Sequence, residues 1–137
     1  MIAPGIAHEL IAARLLGSPV ALQLGLRLAH AEPGKVQVRL PFSGGNVTEG
    51  ALVHGGVIAT LADVVAVATA VSAAHRPPAG GATSSLAITY LSPAEGCALL
   101  ATGLALRSGA RQHAVRVEVA SDMGIAIAQA LVTVVLT

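Results

Sequence analysis

Two features of this chain could do chemistry: the run His54-Gly55-Gly56, and a single carboxylate, Asp63, further along the same apolar stretch. From Gly56 to Ala74 the residues are nearly all Val, Ile, Leu and Ala, with Thr60, Thr69 and Ser72 as mild polar points. Burying an unpaired charge costs several kcal/mol, so a carboxylate there needs either a hydrogen-bonding partner or a function. No Lys or Arg lies within a helical turn of Asp63, so any partner must come from elsewhere in the fold. Two glycines weaken a helix start by about 1 kcal/mol each, which makes sense where a ligand lies against the backbone. Free N–H groups at a helix start stabilise developing negative charge. With a carboxylate as base or nucleophile, the pattern points to acyl transfer at a carbonyl. The competing reading makes Asp63 a structural carboxylate that caps a neighbouring loop.

The elements that must position these residues follow from periodicity. The stretch 56–74 reads as one long helix. Its length would suit a membrane span, but its Ala content and the central Asp63 favour the core of a protein without a membrane segment. Ile6 to Leu16 reads as a short covering helix, stopped by Gly17-Ser18-Pro19. Leu22, Leu24, Leu26 and Leu28 recur at period two and predict a strand. After the turn Glu32-Pro33-Gly34, Val36, Val38 and Leu40 predict its hairpin partner. Pro41 to Gly50 reads as a connector. Four further strands are expected over 83–90, 99–107, 112–120 and 125–136, separated by Gly-containing turns. The order is strand, strand, helix, four strands, with no βαβ alternation. That predicts an α+β fold with a mainly antiparallel sheet and the helix on one face.

Composition narrows the function classes. A chain of 137 residues suits one domain, and 54% hydrophobic residues can fill a core. With one Tyr, one Phe and no Trp, that filling is small and aliphatic. Only 11% of residues are charged, which predicts apolar surface buried between subunits. A net charge of +1 without a basic run gives no case for nucleic acid. Cys97 stands alone, so no internal disulfide or cysteine-based zinc site is expected, and a reducing, cytoplasmic setting fits. Neither a basic n-region and apolar run nor a nucleophile elbow, phosphate loop, dinucleotide fingerprint or HExxH motif is present. Ser84-Ser85 has no adjacent base, and His8, His30, His75 and His113 read as surface or packing residues.

The segments VHGGVIATLAD, SLAITYLSPAEG, SGARQHAVRVEV and SDMGIAIAQALVTV resemble the PaaI-like (phenylacetate-degradation type) hotdog thioesterases over roughly 50–135. The resemblance implies a hotdog fold, a sheet wrapped around one long helix, and an acyl-CoA thioesterase without cofactor or metal. By motif position, it makes Gly55 the oxyanion donor, His54 an orienting group, Asp63 the base or nucleophile, and Thr83 a hydroxyl that holds water or the carboxylate. The position six before His54, commonly Asn in the family, is Thr48 here, with Asn46 nearby; the acidic residue often found two after the Thr is replaced by Ser85. Arg107 and Arg111 flank the turn Ser108-Gly109-Ala110 and, with Gly56, are the candidate contacts for CoA.

A hotdog hydratase or dehydratase, and a non-catalytic acyl-CoA-binding protein, are the alternatives. The acyl group, aromatic or short to medium in chain length, stays open. Distance carries one further expectation. Gly55 and Asp63 are 63 − 55 = 8 residues apart on one helix, or about 12 Å at 1.5 Å per residue. One carbonyl cannot reach both, whereas two antiparallel copies about a two-fold axis bring Gly55 of one against Asp63 of the other. A homodimer with shared sites is therefore expected, and pairing of dimers into a homotetramer as the next level.

Overall fold

The computed structural model describes residues 2–137. Short helical segments come first: α1 (Pro4–Leu10), a π-type turn over Ile11–Leu15, and α2 (Pro19–Leu24). The hairpin strands β1 (Arg27–Glu32) and β2 (Lys35–Leu40) follow, then the short pair β3 (Val47–Glu49) and β4 (Leu52–Val53). The long helix α3 spans Gly55–Ser72. Four strands complete the chain: β5 (Gly81–Tyr90), β6 (Leu99–Ser108), β7 (Gln112–Ser121) and β8 (Ala126–Leu136). Every pairing is antiparallel, in the order β1-β2-β6-β7-β8-β5. The expected α+β architecture is present: α3 packs on one face of the sheet, against strands β2, β6, β7, β8 and β5.

One expected strand is a helix. Leu22 and Leu24 belong to α2, and Leu22 is 67% exposed, so the sheet starts only at Arg27. Pro19 occupies the first turn of α2, where its missing N–H costs nothing. At the other end Gly25 has φ 71°, Leu26 N–H reaches the Ala21 carbonyl, and Gly25 N–H reaches Leu22. That is a Schellman ending, for which Gly is favoured. The leucine alternation matches a strand, but the Pro and Gly at its borders decide the conformation. The expected connector over 41–50 is also more ordered than a loop, holding a 3-10 turn at Gly44–Asn46 and strand β3.

The core is what the composition dictates: small aliphatics on facing surfaces. Val115, Val117 and Val119 of β7 are buried while Arg116 and Glu118 alternate outward, as the pattern predicts. The helix sits unusually close to β6. A Cβ added at Gly103 would lie 2.1 Å from Thr69 Oγ1, so only glycine permits this approach. The polar points of α3 are satisfied locally, by Thr69 Oγ1 donating to Val65 O (2.7 Å) and Ser72 Oγ to Thr69 O (2.7 Å). Ser72 Oγ also accepts from Gly34 N–H (3.0 Å), tying the β1–β2 turn to the helix end.

His8, His30 and His75 are exposed, but His113 lies inside, only 2% exposed, with Nδ1 unpartnered. Burial, and secondarily the nearby His75, hold its pKa below the ordinary histidine value. The folded state thus disfavours protonation relative to the unfolded chain, and the unfolded chain binds the extra proton first. Stability should be full above about pH 6.5 and fall as pH drops below it. Thermal unfolding compared between about pH 8 and about pH 5 should show this loss, and His113→Phe should flatten that slope.

Candidate functional site

His54 is the N-cap of α3, with extended backbone (φ −61°, ψ 132°), and its Nδ1 accepts the Gly56 N–H at 2.8 Å. The ring therefore carries its proton on Nε2 when neutral, which leaves that donor facing outward. A Cβ at Gly56 would lie 2.8 Å from His54 Cε1, so Gly56 makes room for the cap and its N–H is already committed to it. Val57 and Ile58 N–H both bond the His54 carbonyl. Among the described residues, the Gly55 N–H alone in this first turn has no acceptor, leaving it free at the positive end of the helix. The preceding segment is fixed as well, because His54 N–H donates to the Asn46 carbonyl at 2.8 Å. Asn46 is thus brought beside His54 by its backbone, while Thr48 lies on the wall of the cleft next to Gly55.

Tyr90, at the end of β5, escapes a sequence reading of the site. Its hydroxyl donates to the Gly55 carbonyl at 2.5 Å, and its ring lies 3.3 Å from where a Gly55 Cβ would stand. It pins the Gly55–Gly56 peptide from the strand side. The signal available in the sequence is that this is the chain's one tyrosine, placed at a strand end.

Just over two turns along the helix, half-buried Asp63 receives its partner from β5: Thr83 Oγ1 donates to Asp63 Oδ1 at 2.5 Å. That length is expected of a hydroxyl bonded to a carboxylate. Neither Asp63 oxygen meets a cation, since the ion pairs among the described residues are His30–Glu32 and Arg116–Glu118. Thr83 occupies one lone pair only, so Oδ2 stays available to a water or an acyl carbon. Asp63 and Thr83 line an open cleft of about 270 Å³ with Ala59, Thr60 and Leu86. A separate cleft of about 330 Å³ opens beside Gly55, with Tyr90, Leu91 and Ser92 on its wall.

The sequence-predicted residues thus form two clusters, His54–Gly55–Gly56 with Tyr90, and Asp63 with Thr83. Within one chain they stay about 12 Å apart along α3. Arg107 and Arg111 join neither. Both are exposed at the β6–β7 turn, and β6 lies three strands from β5, roughly 14 Å at the usual strand spacing. The turn sits near the C-terminal end of α3, where His75 Nε2 lies 3.2 Å from the Ser108 carbonyl.

Comparison with known proteins supplies a frame for this geometry. The sequence pattern of the thioesterase superfamily matches residues 50–128, which include both clusters. A thioesterase family protein from Silicibacter pomeroyi has a similar structure, with TM-score 0.88, 21% identity, and 95% of this chain and 97% of that one covered. The E. coli PaaI protein of the phenylacetic acid degradation operon superposes with TM-score 0.85 at 19% identity, over 98% and 95% of the two chains. A hypothetical thioesterase from Streptococcus pneumoniae, solved with coenzyme A, superposes with TM-score 0.77 at 20% identity, over 86% and 91%. These likenesses establish the hotdog fold. No curated protein sequence matches this chain significantly.

The His54 cap sets a stability test. His54→Ala removes the acceptor for Gly56 N–H and should cost about 1 kcal/mol, roughly 4 °C in Tm for a chain of this size. His54→Asn, whose side chain also caps helices well, should recover most of that loss in the same thermal melt.

Proposed function

Because this chain belongs to the thioesterase superfamily, we propose that it hydrolyses an acyl-CoA with Asp63 and Thr83 of one protomer and His54-Gly55 of a second. The observation that carries this reading is the complementary split of the two clusters. One holds a free backbone donor at a helix start, and the other a carboxylate with an unoccupied oxygen. A thioester carbonyl needs both within roughly 3 Å.

The exposed face of α3 supports a two-fold arrangement. Val57, Thr60, Val64 and Val67 are only half-buried in the single chain and recur at helical spacing, with Asp63 beside them. β5 is an edge strand with one side unpaired, and edges of this kind are normally covered or blunted. Two β5 strands side by side would extend the sheet and bring the two α3 helices together antiparallel. Pairing of such dimers into a tetramer is the further step of this reading.

In such a site the Gly55 N–H polarises the carbonyl oxygen and stabilises the negative charge that develops on it. Tyr90 and the His54 cap hold the adjoining Gly55–Gly56 peptide in place before substrate arrives. Asp63 takes a proton from water as the water attacks, and Thr83 both fixes the carboxylate and offers a lone pair to orient the water. Fixing one Asp63 oxygen in this way favours a base over a direct nucleophile. The His54 Nε2–H faces the thioester side. Arg107 and Arg111 have no acidic partner among the described residues, and they supply cations that the CoA phosphates need. The S. pneumoniae relative solved with coenzyme A supports CoA as the carrier.

Asp63→Asn should lower kcat at least about a hundredfold while acyl-CoA still binds, because the amide keeps the shape and loses the base. Thr83→Val removes one hydrogen bond to a charge and should cost roughly tenfold to a hundredfold. Thiol release, with binding followed separately, measures both. In a single turnover in oxygen-labelled water, a base puts label into the acid product at once, whereas unlabelled acid with label in Asp63 identifies a nucleophile whose anhydride is hydrolysed at the Asp63 carbon. Wild-type rates in Asp63→Asn would make the carboxylate structural.

A further inference from the structure

The Asp63 cleft has a neighbour further along α3 and β5. One turn beyond it a second cavity of about 270 Å³ opens. Val67 and Val71 carry the Asp63 face of the helix onward at i+4 and i+8, and Gly81 stands two residues before Thr83 on β5. Leu10 and Leu15 close the cavity from the N-terminal helical segment. Its volume lies just below the usual range for ligand cavities, roughly 300 Å³ and upward, which suits a single chain.

One wall group is charged. Arg14 stands beside the leucines, and its single hydrogen bond is a long one, Nη2 to the Ala79 carbonyl at 3.4 Å. It makes no ion pair among the described residues. A guanidinium has five donors in a planar fork that matches a carboxylate, and in exposed Arg14 most of them face solvent, where an incoming carboxylate can meet them.

We infer that this cavity takes the far part of the acyl group, and that Arg14 selects chains ending in a carboxylate. The substrate class is then the CoA monothioester of a medium-chain dicarboxylic acid. The inference rests on the reading of Asp63 as the group that acts at the thioester. Length agrees with it. From Asp63 to Val71 the helix advances about 12 Å, and an extended chain covers about 3.5 Å per three bonds, which makes about ten bonds. The apolar walls suit the methylene run, and the cation meets its far end. A chain of equal length ending in a methyl would bring apolar atoms against the guanidinium and offer it no acceptor.

The test compares CoA release from decanedioyl-CoA (a free carboxylate at its far end), decanoyl-CoA and acetyl-CoA, using wild type, Arg14→Met, Arg14→Gln and Asp63→Asn. Wild type should favour decanedioyl-CoA over decanoyl-CoA by about tenfold in kcat/KM, the order expected for one charge-assisted contact to the exposed Arg14. Both Arg14 variants should abolish or reverse that preference and leave acetyl-CoA turnover unchanged, which also shows that they fold. Asp63-dependent turnover with equal or reversed preference in wild type would overturn this inference alone. A preference that survives in both Arg14 variants would do the same. Turnover that does not depend on Asp63 would overturn the reading beneath it.

Discussion

Two hydroxyl hydrogen bonds fix how β5 lies along α3. Tyr90 holds the Gly55 carbonyl at one end, and Thr83 holds the Asp63 carboxylate further along, so strand and helix run antiparallel past each other. The first bond sets the peptide next to the free Gly55 N–H. The second gives the half-buried carboxylate the partner that its apolar surroundings demand. Because β5 is also an edge strand, the same geometry leaves both clusters beside an uncovered side of the sheet. The functional proposal depends on that placement. A carboxylate tied to an inner strand would have no room for a second chain to approach.

Much of this was legible in the sequence. The long helix, the β1–β2 hairpin turn at Pro33-Gly34, and the four later strands follow from periodicity and turn residues, and their observed bounds differ from the expected ones by one or two residues. Three of the four segments that carry the thioesterase likeness, and the start of the fourth, lie within the residues that the superfamily pattern matches. The strand expected from Leu22 failed because alternation alone cannot weigh Pro19 and Gly25, which start and stop a two-turn helix. Asp63 stood out because its setting was apolar. Thr83 lies 20 residues away, so its pairing is a tertiary fact that only the motif resemblance brought forward. Tyr90 stayed hidden because its partner is a backbone carbonyl, which every residue has and no motif marks.

The glycines of the motif divide their work in a way the letters alone do not reveal. Gly56 has no Cβ because the His54 ring occupies that space, and its N–H serves the cap. Gly55 lies against the Tyr90 ring and keeps its N–H free. The free donor therefore belongs to one glycine, and the second makes room for the histidine to fold back over the helix start. The cost to helix propensity of two glycines, about 1 kcal/mol each, is set against a preorganised donor.

The central claim is that one active site draws on two chains, and subunit complementation tests it most directly. Gly55→Pro deletes the N–H at a helix position that tolerates proline, and the extended His54 backbone suits a residue before proline. Its Cβ would stand 3.3 Å from the exposed Tyr90 ring, which must give by a few tenths of an ångström. Gly55→Pro and Asp63→Asn homodimers should each be nearly inactive. After subunit exchange, proven by mass-labelled mixed dimers, each mixed dimer holds one doubly damaged site and one intact site. The account predicts that acyl-CoA hydrolysis returns, to about half the wild-type activity per mixed dimer, one site of two being intact. Mixed dimers that stay as inactive as their parents would contradict it.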